Sequence, residues 1–282
     1  MPETDWSLVL EAARSAGQLA EANRIAASLA ADDPRKAMFD LYLPICGATA
    51  TRPVTVGHLG QSLDGFIATH AGESQWVTGQ ENILHVHRLR ALCDAVVVGA
   101  GTVAADDPQL TTRLVEGPNP VRVVIDPARR LGEHHKVFTD ASAETLYVCA
   151  RSVARPGEHH VGRAAVVAVD DAPDGGVDVD ELMRLLRARG CTRVFVEGGG
   201  VTVSMFLEAN LLDRLHVAIA PLIIGNGRPA IRLPARAALG DCHRPRHRVF
   251  RMGGDVLFDL DLGTTDDATG QSDPPATLTR VI

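Results

Sequence analysis

From Pro53 onward the chain is a succession of short, β-branched apolar runs separated by helical patterns, and that alternation restricts the folds open to it. The runs are Val54-Thr55-Val56-Gly57-His58-Leu59, Ala95 to Gly99, Val121 to Ile125, Thr145 to Cys149, Ala164 to Val169, Arg193 to Val196 and His216 to Ala220. Near-continuous apolarity, as opposed to alternation with polar residues, marks strands covered on both faces. Helical patterns over Gln80 to Leu92, Asp178 to Arg189 and Thr202 to Ala209 lie between several of these runs. The segment therefore predicts a largely parallel α/β sheet. Its end differs: Val249 to Met252, Gly253-Gly254 and Asp255 to Leu262 read as a hairpin adding antiparallel edge strands.

Ahead of Pro53, Leu8, Ala12, Leu19, Ala22, Ala26 and Leu29 recur near the helical period, so residues 5–31 are expected to be helical and to end at Asp32-Asp33-Pro34. A less regular stretch with Pro44 and Gly47 follows. The organisation predicted is a helical extension (1–52), one α/β domain (53–262) and a disordered tail (263–282) rich in Thr, Asp, Gly, Ser and Pro.

A net charge of −7 disfavours a nucleic-acid surface, and no apolar run is long enough to span a bilayer. With charges throughout its first residues and no signal-peptide core, the chain is expected in the cytoplasm. Five cysteines without a CxxC pair point to reduced, mostly buried thiols and to no metal site. His85-Val86-His87, His134-His135 and His159-His160 lack carboxylate or Cys spacing for a metal and read as solvated or supporting histidines. Lys36 and Lys136 are the only lysines among 28 cationic residues, so anion contacts fall to arginine, whose planar fork suits phosphate.

Two strand ends run into glycines: Val98-Gly99-Ala100-Gly101-Thr102, followed by a hydroxyl, and Val196-Glu197-Gly198-Gly199-Gly200-Val201-Thr202, followed by a helix start. Such turns let backbone approach a phosphate, and two in one sheet suit a dinucleotide pyrophosphate. A tight βα turn explains either one alone, and neither is a full GxGxxG. Asp64 and the Asp106-Asp107-Pro108 acids equally suit local turns, and Arg88 and Arg90 a solvated helix face.

Taken in order, these segments narrow the choice. Ser62-Leu63-Asp64-Gly65, Gly72 to Gly79, His87-Arg88-Leu89-Arg90-Ala91, Asp94 to Pro108, Pro120 to Asp126, the Glu197-Gly198-Gly199 turn and Ala220 to Gly225 together resemble the reductase domain of the bifunctional riboflavin-biosynthesis deaminase/reductase, over about residues 53–262. The resemblance implies a dihydrofolate-reductase-like three-layer fold, NADPH as cofactor and a homodimer. It implies a phosphorylated ribosylamine substrate held by Ser74, Arg90, Leu110, Arg113 and Glu197, with Arg90 and Arg113 on the phosphate. It places Gln61, Trp76, Thr102, Asp106 and the turn Gly199, Gly200, Val201, Thr202, Val203, Ser204 against the cofactor, and Arg151 is our choice for the 2′-phosphate. The family's reaction is hydride addition to ribose C1′ of the ring-opened imine, with Asp106 or Glu197 as the candidate acid. The zinc-deaminase pair His-x-Glu and Pro-Cys-x-x-Cys is absent from the N-terminal region, so a reductase alone is expected. Relatives often carry lysine at His58, a basic residue at Phe66 and serine at Pro127. These departures and the unmatched N-terminal helix keep open a paralogous imine or C=C reductase of specialised or pterin metabolism; a non-catalytic nucleotide-binding protein is the remaining alternative, and the intact Ser74, Arg90, Arg113 and Glu197 set argues against it.

Overall fold

A computed structural model describes residues 3–263, so the expected tail lies, beyond Gly263, outside the described residues. The chain begins with three helices, α1 (Glu3–Ala12), α2 (Ala16–Ser28) and α3 (Pro34–Cys46). There follow β1 (Val54–Ser62), β2 (Phe66–Thr69), α4 (Gln80–Leu92), β3 (Ala95–Gly99), α5 (Ala100–Asp106), β4 (Val121–Ile125), α6 (Lys136–Thr139) and β5 (Thr145–Ala150). The second half comprises β6 (His160–Val161), β7 (Ala164–Val169), α7 (Val179–Ala188), β8 (Arg193–Glu197), α8 (Gly200–Glu208), β9 (Arg214–Ala220), β10 (Gly227–Pro229), β11 (Arg246–Met252) and β12 (Asp255–Asp261).

Ten strands form one sheet in the order β11-β12-β9-β1-β8-β3-β4-β5-β7-β6. Its centre, from β9 through β7, is parallel, while β6 and the β11–β12 hairpin run antiparallel. This is the mostly parallel α/β sheet with a C-terminal hairpin that the apolar runs predict. A second, two-stranded sheet pairs β2 with β10 and was not anticipated; three or four residues are too few for a period to show.

The N-terminal helices differ from expectation in a physically simple way. Ser15 accepts a hydrogen bond from the Gln18 N–H at 3.2 Å and so starts α2 as a new helix within the 5–31 stretch. Asp33-Pro34, expected only to end a helix, also begins one: Asp33 caps the Arg35 N–H and Pro34 takes the first helical position, where a missing N–H costs nothing.

The sheet is covered on both faces. On one, Trp6, Val9, Phe39, Tyr42 and Ile45 of the N-terminal helices pack in a single core with Leu89 of α4 and with Val56, Val96, Phe195 and Ala218 of the strands. On the other, Leu182, Leu186, Val203 and Phe206 of α7 and α8 pack against Val97, Val123, Leu146 and Val196. Cys46, Cys93, Cys149 and Cys191 are buried free thiols, and Cys242 is exposed.

A line of buried polar groups crosses the first core. The Tyr42 hydroxyl lies 2.7 Å from His85 Nδ1, His85 Nε2 lies 3.1 Å from His216 Nδ1, and His216 Nε2 lies 3.2 Å from Asp259 Oδ1. Asp259 also accepts from Arg214 and Arg248. The two hydrogen bonds join Tyr42, His85 and His216 in series, while the His216 Nε2 contact with Asp259 is a close approach without hydrogen-bond geometry. Burial pushes both histidines below their ordinary value, which keeps them neutral.

Candidate active site

Strand β8 inserts between β1 and β3, so the chain's path reverses there, and the carboxyl ends of these three strands are where an open α/β sheet places its ligand crevice. Both glycine turns end in it. A Cβ on Gly99 would stand 2.5 Å from Thr202 Oγ1, and one on Gly199 would stand 2.7 Å from Thr102 Oγ1. The two turns are therefore in contact, with the threonine hydroxyls between them. Gly198 and Gly199 have φ of 52° and 72°, the left-handed region that favours glycine. A Cβ on Gly200 would lie 2.1 Å from the Ala230 carbonyl oxygen, so only glycine fits beneath the arm that carries β10. No side chain caps the start of α8, which leaves its first backbone N–H groups to an outside acceptor. These features fit an anionic group at the turn.

Beside the turn, α4 faces the end of β8. Arg90 Nε and Nη2 donate to Glu197 Oε2 and Oε1 at 2.7 and 2.5 Å, and Nη1 donates to the Thr111 carbonyl at 3.0 Å. Both members are largely buried. Arg113 is exposed and makes no ion pair among the described residues; its Nη1 donates to Thr111 Oγ1 at 2.8 Å. Burial and the nearby Arg90 charge lower the Arg113 pKa, so a further anion there is favoured. Ser74 donates to Asp106 Oδ1 at 3.3 Å, joining the 72–79 loop to the end of α5. Trp76 is 72% exposed and, unusually for a bulky residue, has φ 66°. Gln61 is half-buried near the end of β1.

Other expected site residues stand elsewhere. Leu110 is fully buried in the core with φ 56°, so its side chain is closed to a ligand. Val203 is likewise in the core, and Ser204 Oγ accepts the Arg232 N–H at 2.8 Å, a tie between α8 and the arm. Of the turn residues, Gly199, Gly200, Val201 and Thr202 remain at the crevice. Arg151 donates to Asp170 at 2.6 Å and Glu181 at 2.8 Å, which fills its fork and surrounds it with negative charge, a poor setting for a 2′-phosphate. Arg90, expected on a substrate phosphate, instead commits its fork to Glu197.

His58, on β1 in register with Glu197, is buried and lies 2.8 Å through Nε2 from Asn82 Oδ1. Burial lowers its pKa to about 4, so it brings no positive charge to the site. Asp64 is a turn residue: its carboxylate accepts from Ser62 and from the backbone of Ile224 and Gly225, and the Ser62 hydrogen bond foremost lowers its pKa to about 2. His87, read as a supporting histidine, is buried with Nδ1 accepting the Arg113 backbone N–H at 3.0 Å. Its position three residues before Arg90 on one helix was the available signal. Among the described residues no group of three or more His, Cys, Asp or Glu is placed to hold a metal ion, and no helix is long and apolar enough to cross a membrane. A cavity of about 1030 Å³ lies apart from the crevice, between α2, α3 and the β11–β12 hairpin.

The model of the RibD C-terminal domain matches residues 54–244, the whole of this crevice included. The chain belongs to that family. It is 38% identical over 182 residues to the 2,5-diamino-6-ribosylamino-4(3H)-pyrimidinone 5′-phosphate reductase of Methanothermobacter thermautotrophicus, covering 64% of this chain and 82% of that one. The protein of the same name from Archaeoglobus fulgidus is 34% identical, covering 62% and 83% respectively. The crystal structure of the Thermotoga maritima diaminohydroxyphosphoribosylaminopyrimidine deaminase/5-amino-6-(5-phosphoribosylamino)uracil reductase superposes with a TM-score of 0.64 at 28% identity, over 82% of this chain and 62% of that one. This RibD C-terminal domain thus spans less than two thirds of that bifunctional structure, and its α/β class, a mostly parallel sheet with a C-terminal antiparallel hairpin, stands as expected.

Proposed function

We propose that this chain is an NADPH-dependent reductase of the riboflavin pathway, acting on a ribosylaminopyrimidine 5′-phosphate such as 5-amino-6-(5-phosphoribosylamino)uracil to give the ribitylamino product. The observation that carries the reading is the contact between the two glycine turns, directly beside the Arg90–Glu197 pair and the free guanidinium of Arg113. One side of the crevice is shaped for a cofactor's phosphates, the other for an anionic, hydroxyl-rich substrate. The relatives' names support the substrate class. A homodimer and a cytoplasmic location belong to the same reading and rest on the family resemblance.

When bound, the dihydronicotinamide supplies the hydride that reduces ribose C1′ of the ring-opened imine. What the chain does is hold and orient. The N–H groups of Gly200, Val201 and Thr202 at the start of α8 would hold the pyrophosphate, with the Thr102 and Thr202 hydroxyls alongside, and Trp76 and Gln61 would line the cofactor. Arg113 grips the ribose phosphate through a charge-assisted hydrogen bond. Ser74, tied to Asp106, and Glu197, tied to Arg90, present oxygens to ribose and base. Both Glu197 oxygens already accept hydrogen bonds, a geometry suited to an acceptor; Asp106 has one oxygen uncommitted and is the better placed acid.

Anaerobic NADPH oxidation with the deaminated and the 2,5-diamino forms of the substrate tests the reading. The relatives named above make turnover of the diamino form the particular comparison of interest. Consumption with either form is expected; none with either, from protein shown to bind NADPH, would favour a paralogous imine or C=C reductase.

A further inference from the structure

Arg113 stands on a loop, and a loop guanidinium grips a phosphate well only if its backbone is held. The hold comes from one face of α4. Arg90 Nη1 donates to the Thr111 carbonyl at 3.0 Å, and three residues earlier His87 Nδ1 accepts the Arg113 N–H at 3.0 Å. One helix thus grips the loop through a donor and an acceptor spaced i, i+3, and the grip spans the two residues before the guanidinium. Arg113 Nη1 then closes on Thr111 Oγ1 at 2.8 Å, inside the same clasp.

We propose that His87 is a positioning residue for the substrate phosphate: by accepting the Arg113 backbone N–H it sets where the Arg113 guanidinium stands in the crevice. The inference rests on the assignment of Arg113 to the ribose phosphate. It requires a neutral ring with its proton on Nε2, since a protonated imidazole has no lone pair for the amide. The surroundings keep the ring neutral, and the Arg113 N–H on Nδ1 leaves the proton to Nε2. The groups facing His87 are Arg90 from its own helix, Arg113 from the loop and Glu197 from β8; burial first, then the two guanidiniums, lower its pKa to about 4, against the opposing pull of Glu197. The acceptor is therefore present at neutral pH.

The test compares H87N with H87Q. Asparagine places its carbonyl oxygen where Nδ1 stands, whereas glutamine carries its oxygen one bond further, toward the Nε2 position. Measurements are KM and kcat for the ribosylaminopyrimidine 5′-phosphate, and calorimetric Kd values for ribose 5-phosphate and NADPH. H87Q is expected to raise KM and the ribose 5-phosphate Kd on the order of tenfold, the size of one lost hydrogen bond, with kcat and NADPH affinity within about twofold of the parent. H87N is expected to restore binding. Unchanged ribose 5-phosphate affinity in H87Q overturns the proposal, as does H87N binding no better than H87Q. If the parent reduces neither pyrimidine yet binds ribose 5-phosphate, the proposed activity falls while the affinities still decide His87. A parent that does not bind ribose 5-phosphate overturns both. Should H87Q not fold, amide exchange in the parent decides: an Arg113 N–H as unprotected as open loop amides contradicts the hydrogen bond.

Discussion

Arg90 on α4 and Glu197 at the end of β8 meet through two parallel hydrogen bonds of 2.7 and 2.5 Å, although 107 residues separate them in the chain. The pair engages both carboxylate oxygens once and the forked side of the guanidinium, so it fixes the crevice wall and the direction in which the remaining lone pairs point.

Replacing Glu197 with glutamine should therefore impair binding more than chemistry. E197Q is expected to raise KM for the substrate and to lower unfolding stability by about 1–3 kcal/mol, the cost of leaving part of a buried guanidinium unpartnered. Single-turnover hydride transfer at saturating substrate should stay within about tenfold of the parent. A loss beyond roughly a hundredfold would instead make Glu197 a proton donor.

Arg113 is exposed and forms no ion pair among the described residues, so its removal should act chiefly on phosphate. R113Q is expected to weaken the phosphorylated substrate by about 10–100-fold, the range of one charge-assisted hydrogen bond, while leaving the dephosphorylated riboside unaffected. Equal losses for both compounds would remove Arg113 from the phosphate.

The Arg151 fork is already filled by Asp170 and Glu181. R151Q should bind NADPH as the parent does and change stability by about 0–1 kcal/mol, as for exposed ion pairs. A tenfold or greater loss of NADPH affinity, with NADH affinity unchanged, would restore it as a 2′-phosphate reader.

Acid should destabilise the protein through its buried histidines. His58 and His87 titrate near 4 in the folded protein, mainly because of burial, and burial also lowers His85 and His216. The unfolded chain, with histidines near 6.5, binds more protons throughout the interval between. Stability from these groups is thus full above about pH 6.5 and is lost as pH falls toward 4, each contributing a slope of up to about 1.4 kcal/mol per pH unit. Denaturant midpoints measured between pH 7.5 and 5 should fall, and H58Q should flatten the trend. A flat profile would mean that water reaches these rings.

Gly200 separates shape from conformation at the turn. A Cβ there meets the Ala230 carbonyl oxygen, whereas one on Gly198 meets nothing. G200A should displace the arm and abolish tight NADPH binding, while G198A should cost only the strain of a left-handed alanine, about 1–2 kcal/mol. Equal affinities in the two variants would show that the arm yields.

The strands were legible because parallel strands covered on both faces are written as unbroken apolar runs. α3 was not, because it is buried nearly all round: Met38, Phe39, Leu41, Tyr42, Leu43, Ile45 and Cys46 leave no polar stripe to show a period, and Pro44 lies inside it. α5 was read as part of a glycine turn, since Gly99 and Gly101 bracket its start. At the site, residue types and order pointed to the right turns, yet not to which groups were already committed. Arg90, Arg151 and Ser204 each find a partner remote in sequence or on a separate arm, and only folding reveals that their valences are filled.

The line of buried polar contacts from Tyr42 to Asp259 begins on a helix outside the 54–244 span and ends in the C-terminal hairpin. It passes through His85, two turns before the end of the helix that also carries His87 and Arg90. A fragment cut at Pro53 would strip Tyr42 from His85 and bare one face of the sheet. The unit that melts cooperatively is therefore wider than the one that composition delimits, and the three leading helices act as a wall of the catalytic scaffold. An engineer trimming this enzyme would have to cut elsewhere.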